Sequence, residues 1–332
     1  YYRNFIRDIT DLVKNDPDPN SPYKRIPLPL FEATSHNGRI LAIPLYWWTY
    51  NTCYNVDLWQ EAALQPPAYN WTWEDFRIAA RRMTKDTDGD GIPNIWGTAT
   101  YSQWKHRIRT WLWSAGTDMY NFNTGRSTVN TPEAHEAWRF MYQLEVEDRS
   151  HMGWGVEGPD PVNTYSQGRV GMLLGNIYYS LPNETYGTTF EVATVPVGPK
   201  NSTTGVIVTT MALSPTTQHP EEAYKLAKFI VSPEAQRLAR SIDADIAVYP
   251  PGDRQLAAEM FAPSSSRPYN KHLWIDVLPT ALDMDRLPKG VTTESTNQVF
   301  RTWWEKVSKR EISLSNALEY IDVELNALLS AE

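Results

Sequence analysis

Three carboxylates at alternate positions are the sharpest chemical signal in this chain. The run Asp86-Thr-Asp88-Gly-Asp90-Gly-Ile92-Pro-Asn94 would aim hard oxygen ligands at one point if it curls, with the Ile92 carbonyl as a fourth, and such a set suits Ca²⁺. The twelfth position of a helix–loop–helix calcium loop would be Gly97 instead of Glu, so the bidentate anchor is absent. Two readings stay open: an Asp-Gly turn between a helix and a strand, or a weak calcium site on Asp86, Asp88, Asp90 and Ile92. Glu145, Glu147 and Asp148 form a second acidic group at the end of a predicted helix, where a solvated face is expected. A glycosidase pair needs two carboxyls roughly 5–10 Å apart across a sugar, a geometry that spacing alone does not supply.

Other chemistries find no support. Gly168-Arg-Val-Gly171-Met-Leu-Leu-Gly175 has the glycine spacing of neither a dinucleotide turn nor a phosphate loop. No Gly-x-Ser-x-Gly elbow occurs. Histidines at 36, 106, 135, 151, 219 and 272 show no i, i+4 pair with an intervening Glu of the zinc-hydrolase kind. Cys53 is the single cysteine; it excludes an internal disulfide and a cysteine-based zinc site, and reads as an inert buried thiol. Nothing in the sequence calls for a resident cofactor.

The aromatic residues are more informative. Tyr46-Trp47-Trp48 follows Pro44 between strand-like runs, Trp104, Trp111 and Trp113 gather on and just before one predicted helix, and Tyr178-Tyr179 follows the Gly175-Asn176 turn. All three groups fall at strand ends and turns, where binding groups of α/β folds collect. A pyranose offers a face of C–H bonds and a rim of hydroxyls. Rings cover the face; Asn, Asp, Lys and Arg bond the rim. A neutral sugar therefore accounts for 14 Trp, 18 Tyr and 9 Phe without any demand on charge.

The elements that must carry these residues read as alternating strands and helices. Helices are expected over Phe5–Val13, Asp57–Ala63, Trp73–Met83 (Thr72 as N-cap), Lys105–Ala115 and Pro132–Glu147 (Thr131 as N-cap). Pro220–Val231 and Pro233–Ser241 each start on a proline suited to the first helical turn; Asn297–Lys306 and Leu314–Leu329 close the chain. Strands are expected at Arg39–Tyr46 and Thr49–Tyr54, interrupted by Trp47-Trp48, then at Val170–Leu174, Phe190–Pro196 and Val206–Leu213. Alternation of this kind argues for α/β layers. The 332 residues suggest two domains. With Lys+Arg 31 against Asp+Glu 39, a net charge of −8 and no basic run, a nucleic-acid partner is not expected. The longest apolar stretches fall far short of the ~20 residues that cross a bilayer.

The order of short motifs resembles family 1 of the extracellular solute-binding proteins, the sugar-capturing subunits of ABC importers of the maltose-binding-protein type. Gly38-Arg-Ile-Leu-Ala-Ile-Pro44 followed by Tyr54-Asn55-Val-Asp57-Leu58 is similar to the family's first passage between lobes. Pro66-Pro67 with Thr72-Trp73-Glu74-Asp75-Phe76, Asp86–Gly91 before Trp96-Gly97, and Gln167-Gly168-Arg169-Val170-Gly171-Met172 follow in order. Pro220-Glu-Glu-Ala223 through Phe229 and Ser232-Pro-Glu-Ala-Gln236 complete the series. Two departures stand out: Gly171 replaces the family's usual Ala, and Gly175-Asn176-Ile177-Tyr178-Tyr179 stands where a Trp is usual, which moves a stacking role onto tyrosine.

The resemblance implies a two-lobe clamp of the class II periplasmic-binding-protein kind. It pairs residues 1–46 with 212–288 in one lobe and 47–211 with 289–332 in the other, and implies hinge closure on ligand and no catalysis. It further implies delivery to the transmembrane subunits of an ABC transporter, a monomer, and an extracytoplasmic location, in the periplasm or as a cell-surface lipoprotein; a secreted carbohydrate-active enzyme is the alternative. The family's opening segment precedes Tyr1, so the first lobe is expected to be incomplete, with an unpaired sheet edge and exposed apolar surface. The expected ligand residues are Tyr46, Trp47, Trp48 and Trp104 as platforms, Tyr178 and Tyr179 beside them, and Lys105 and Asn176 on hydroxyls.

Overall fold

The structure is a computed structural model that describes residues 5–100, 104–153, 160–175, 189–242, 249–261 and 267–330. The main strands, in chain order, are β1 (Ala42–Thr49), β2 (Asn51–Asn55), β3 (Trp96–Thr100), β4 (Val170–Gly175), β5 (Phe190–Ala193), β6 (Gly205–Ala212) and β7 (Leu282–Asp283). The longer helices are α1 (Trp73–Met83), α2 (Trp104–Ala115), α3 (Pro132–Tyr142), α4 (Pro220–Ile230), α5 (Pro233–Ile242), α6 (Thr293–Ser308) and α7 (Leu314–Ser330). The chain divides into two compact units: Tyr1–Tyr50 with Gly205–Asp283, and Asn51–Thr204 with Met284–Glu332.

Unit 1 is built on the sheet β7-β6-β1. β6 runs antiparallel to β1, with Val206 opposite Thr49 and Val208 opposite Trp47; the register shifts between Thr209 and Thr210. Ile43 and Trp47 from β1 join Leu30, Phe31, Val206, Tyr224 and Ala227 in one apolar core. Among the described residues β7 pairs with only Gly205 and Val206 on the outer edge of β6, and α4 and α5 turn Leu226, Phe229, Leu238 and Ile242 outward. The expected helix Phe5–Val13 shrinks to Thr10–Lys14. Asp8 accepts the Thr10 N–H at 2.9 Å, which starts the helix late. Upstream, the Arg7 and Ile9 N–H groups donate to the carbonyls of Leu213 and Ile40.

Trp47-Trp48 does not interrupt a strand. β1 runs through both, and the break comes at Tyr50. The consequence is alternation: successive side chains of a strand point to opposite faces.

Unit 2 carries the sheet β3-β4-β2-β5. β3 and β4 are parallel; β2 is antiparallel to both β4 and β5. β2, β4 and β5 are buried along their whole length, as strands covered on both faces must be. Thr72 and Asp75 form a capping box at the start of α1, whose buried stripe is Phe76, Ala79, Ala80 and Met83. Gly171 departs from the family's Ala for a steric reason: a Cβ there would lie 2.6 Å from Met83 Sδ and 2.8 Å from the Gly97 carbonyl oxygen.

The helix expected over Pro132–Glu147 is α-helical only to Tyr142; Gln143–Glu147 widens to a π-turn. The Leu144 carbonyl then accepts from the N–H groups of Ser150 and His151. Of the acidic group at this end Glu147 is exposed, as expected, while Glu145 and Asp148 are not. Arg77 grips Asp148 in bidentate fashion, Arg139 pairs with Glu147 at 2.7 Å, and Glu145 binds the buried Arg107 and accepts from the Trp304 indole N–H. Arg107 also donates to His151 Nδ1 at 3.1 Å. A guanidinium only donates, so Nε2 bears the His151 proton and donates to Thr100 Oγ1 at 3.1 Å. Burial first, and the Arg107 charge second, push the His151 pKa well below its ordinary value.

Two outcomes follow. Gly171→Ala overpacks the contact with Met83 and Gly97 and lowers stability by about 1–3 kcal/mol, read as a drop in melting temperature. His151 stays neutral in the fold while the unfolded chain takes up a proton near pH 6.5. Its contribution is thus present above that pH and lost below it, with a limiting slope of about 1.4 kcal/mol per pH unit. Calorimetry from pH 7.5 to 5 checks this; His151→Gln flattens the dependence.

Candidate functional site

In unit 1, alternation along β1 separates the three expected rings. Trp47 is 1% exposed, sits in the core, and donates its indole N–H to the Pro251 carbonyl at 2.9 Å. It is a core residue and the expectation of a platform there is corrected. Tyr46 and Trp48 face the other way and are half-buried. Both meet Tyr249, a residue the sequence reading passed over: its ring lies 6.3 Å from that of Tyr46, stacked, and 5.3 Å from that of Trp48, tilted.

Backbone and side-chain bonds fix this cluster. The Trp47 N–H donates to the Pro250 carbonyl, and the Gly252 N–H to the Leu45 carbonyl, so residues 250–252 run along β1. Gly252 is required there, since a Cβ would fall 2.6 Å from the Pro44 carbonyl oxygen. Arg240 of α5 donates to the Tyr249 carbonyl at 2.6 Å and to Gln236 Oε1 at 2.5 Å. Its guanidinium lies 5.1 Å over the Tyr46 ring, a cation–π contact. Gln236, itself buried, is held by the Ile230 carbonyl. The result is a ring surface with little freedom left to lose on binding.

In unit 2 the start of α2 carries an unusual run of buried basic residues. Lys105 is 1% exposed, and its Nζ donates to Asp285 Oδ1 at 2.5 Å. His106 Nε2 lies 2.9 Å from the same oxygen, and Asn297 Oδ1 accepts the Lys105 backbone N–H at 3.0 Å. Burial alone would raise the Asp285 pKa; the His106 hydrogen bond and the Lys105 charge outweigh it and hold the carboxyl well below the usual range. Burial keeps His106 below its ordinary value, against the pull of Asp285. Lys105 therefore serves the carboxylate beside it and has no exposed ammonium to offer, which corrects its expected direct role on hydroxyls. Trp104 opens α2, and its side chain is outside the described set. Asn176, Tyr178 and Tyr179 lie outside the described residues. Trp111 and Trp113 are core residues.

The aspartate loop closes on its own hydrogen bonds. Asp86 accepts the N–H groups of Gly89 and Gly91 at 2.7 and 2.8 Å, and these hold its pKa down. Asp90 accepts the Ile92 N–H at 2.8 Å, and Asn94 accepts that of Thr87 at 3.1 Å. The turn also brings one oxygen each of Asp86, Asp88 and Asp90, all exposed, within 4.8 Å of one another.

Nothing in the sequence marks Tyr249, Asp285 and Asn297 as partners of these clusters. Each is remote in sequence from its partner, and no spacing marks it; the aromatic placed before Pro250-Pro251 was the one available hint.

Comparison with known proteins places this architecture. Two curated relatives, putative binding proteins of Brucella abortus and Brucella suis, are each 25% identical over 210 residues, covering 58% of this chain and 47% of the relative. The chain thus spans about half the length of these relatives. Solved structures share the fold at low identity. An ABC substrate-binding protein from Listeria monocytogenes in complex with cycloalternan matches at TM-score 0.80 and 18% identity, over 100% of this chain and 82% of that one. A solute-binding protein from Thermotoga lettingae bound with α-D-tagatose matches at 0.77 and 18%, over 99% and 81%. A maltose-bound protein from T. maritima matches at 0.71 and 20%, over 98% and 80%. The sequence pattern of one family extends over residues 3–237, some seven-tenths of the chain, and by that match the chain belongs to the bacterial extracellular solute-binding proteins.

Proposed function

We propose that this protein captures a sugar or oligosaccharide outside the cytoplasm, by closure of its two units, and hands it to the transmembrane subunits of an ABC importer. The observation that carries the reading is the Tyr46–Trp48–Tyr249 cluster, three half-apolar rings fixed on one strand face by Arg240 and by backbone pairing. Such rings match the C–H face of a pyranose. The solved relatives in complex with cycloalternan, tagatose and maltose support the same ligand class. On this reading ligand favours the closed form, and no bond is made or broken. The protein acts as a monomer, in the periplasm or anchored as a lipoprotein.

Three exposed carboxylates within 4.8 Å fit one hard divalent cation. We read the loop as a weak calcium site on Asp86, Asp88 and Asp90, with the Ile92 carbonyl as the further oxygen. Its role is structural.

A thermal-shift panel of cycloalternan, maltotriose, mannotriose and tagatose tests the main reading. Linkage requires a bound sugar to raise the melting temperature, by about 2.7 kcal/mol of stabilisation at a hundredfold excess over Kd. In calorimetric titration Trp48→Ala weakens the best of these about tenfold or more and leaves the fold intact. A flat panel rejects the sugar reading, and unaltered affinity rejects Trp48 as a platform. For the loop, about 10 mM calcium, ample for an extracellular-type site, raises the melting temperature of chelator-treated protein, and Asp88→Asn removes the rise; no rise rejects the metal.

A further inference from the structure

Helix α2 directs three buried basic side chains at one short segment. Lys105 and His106, 1% and 6% exposed, hold the same carboxylate oxygen of Asp285. One turn on, Arg109, fully buried, donates through Nη1 to the carbonyls on either side of that residue, Met284 at 3.0 Å and Arg286 at 2.7 Å. Arg109 is itself gripped by Asp118 in a bidentate pair at 2.8 and 3.0 Å. Side chain and backbone of Asp285 are therefore both fixed. Yet the Asp285 side chain is 52% exposed.

A purely structural ion pair does not explain this layout. Burying an ammonium is costly, and a lysine that only needs a counter-charge extends its head to water. Here the cation is inside and the anion outside. Both Lys105 and His106 also lie in the first turn of α2, where the helix dipole disfavours positive charge and favours a carboxylate. One ammonium, one imidazole ring and the start of a helix stand behind one half-exposed anion and make a pre-oriented acceptor. Lys105 balances its charge, so the matching ligand group is a neutral donor. Two O–H groups of a vicinal diol fit a carboxylate and form charge-assisted hydrogen bonds.

We propose that Asp285 is the hydroxyl-accepting anchor of the carbohydrate site in unit 2, with Lys105, His106 and Arg109 as its positioning residues, and that it selects sugars presenting a free vicinal diol. This rests on the carbohydrate reading above. It takes over the hydroxyl-bonding role that the sequence assigned to Lys105 and moves that lysine one step behind the contact.

The test is calorimetric titration of the intact protein with the saccharide of the above panel that stabilises it most, and with deoxy analogues lacking one hydroxyl each. Asp285→Asn weakens the parent sugar about 10- to 100-fold, the range for a hydrogen bond to a charged group. Lys105→Met/Asp285→Asn removes both charges together, melts near the wild-type temperature and binds as weakly as the single variant. One deoxy analogue binds wild type less tightly by a similar factor and binds Asp285→Asn as well as the parent does. That cycle separates a contact from a structural effect. Wild-type affinity in both variants overturns the anchor, as does a loss that follows a collapse in melting temperature in both, or a deoxy penalty that persists in Asp285→Asn. If no saccharide of the panel stabilises the wild type, the carbohydrate reading falls first and the anchor falls with it.

Discussion

Alternation along one strand governs the ring cluster of unit 1. Because successive side chains of Ala42–Thr49 point to opposite faces, Trp47 enters the core while Tyr46 and Trp48 share the other side. The two roles support each other. The Trp47 indole fills the core and donates to the Pro251 carbonyl, which ties the Tyr249–Gly252 segment to the strand. That segment in turn presents the third ring. The anchor that stabilises the unit is thus also the device that shapes its ring face.

Unit 2 carries a set of buried charges instead. Its buried basic residues, Lys105, Arg107 and Arg109, are each matched by an acid: Asp285, Glu145 and Asp118. Breaking one partner of such a pair leaves an uncompensated charge inside the fold, at a cost of about 3–5 kcal/mol. Arg107 shows the structural version, sealed between Glu145 and a neutral His151. Asp285 shows the more exposed version, held by Lys105 and His106 with its side chain 52% exposed. The same helix therefore contributes both to the core and to a surface acceptor.

Much of the scaffold was legible because its signals are local. Thr72 and Thr131 cap the helices expected of them, and prolines open Pro220–Ile230 and Pro233–Ile242. The candidate site is less local. Tyr46 and Trp48 meet around the Tyr249 ring; Trp47 differs from both because the strand runs unbroken through the tryptophans and turns it to the opposite face. Lys105 was expected at the site for its charge, but burial turns it toward Asp285. Tyr249 and Asp285 depend on pairings across some 200 and 180 positions of sequence, which residue spacing does not encode. At the acidic end of Pro132–Glu147, the burial of Glu145 and Asp148 depends on Arg107 and Arg77, 38 and 71 positions away, which local sequence does not encode.

A crystal structure of the intact protein with its tightest-binding saccharide is the most direct measurement. The account predicts a pyranose face against the Trp48 ring, within van der Waals distance, beside Tyr46 and Tyr249. A sugar bound elsewhere, with that ring cluster unchanged and uncontacted, would contradict it.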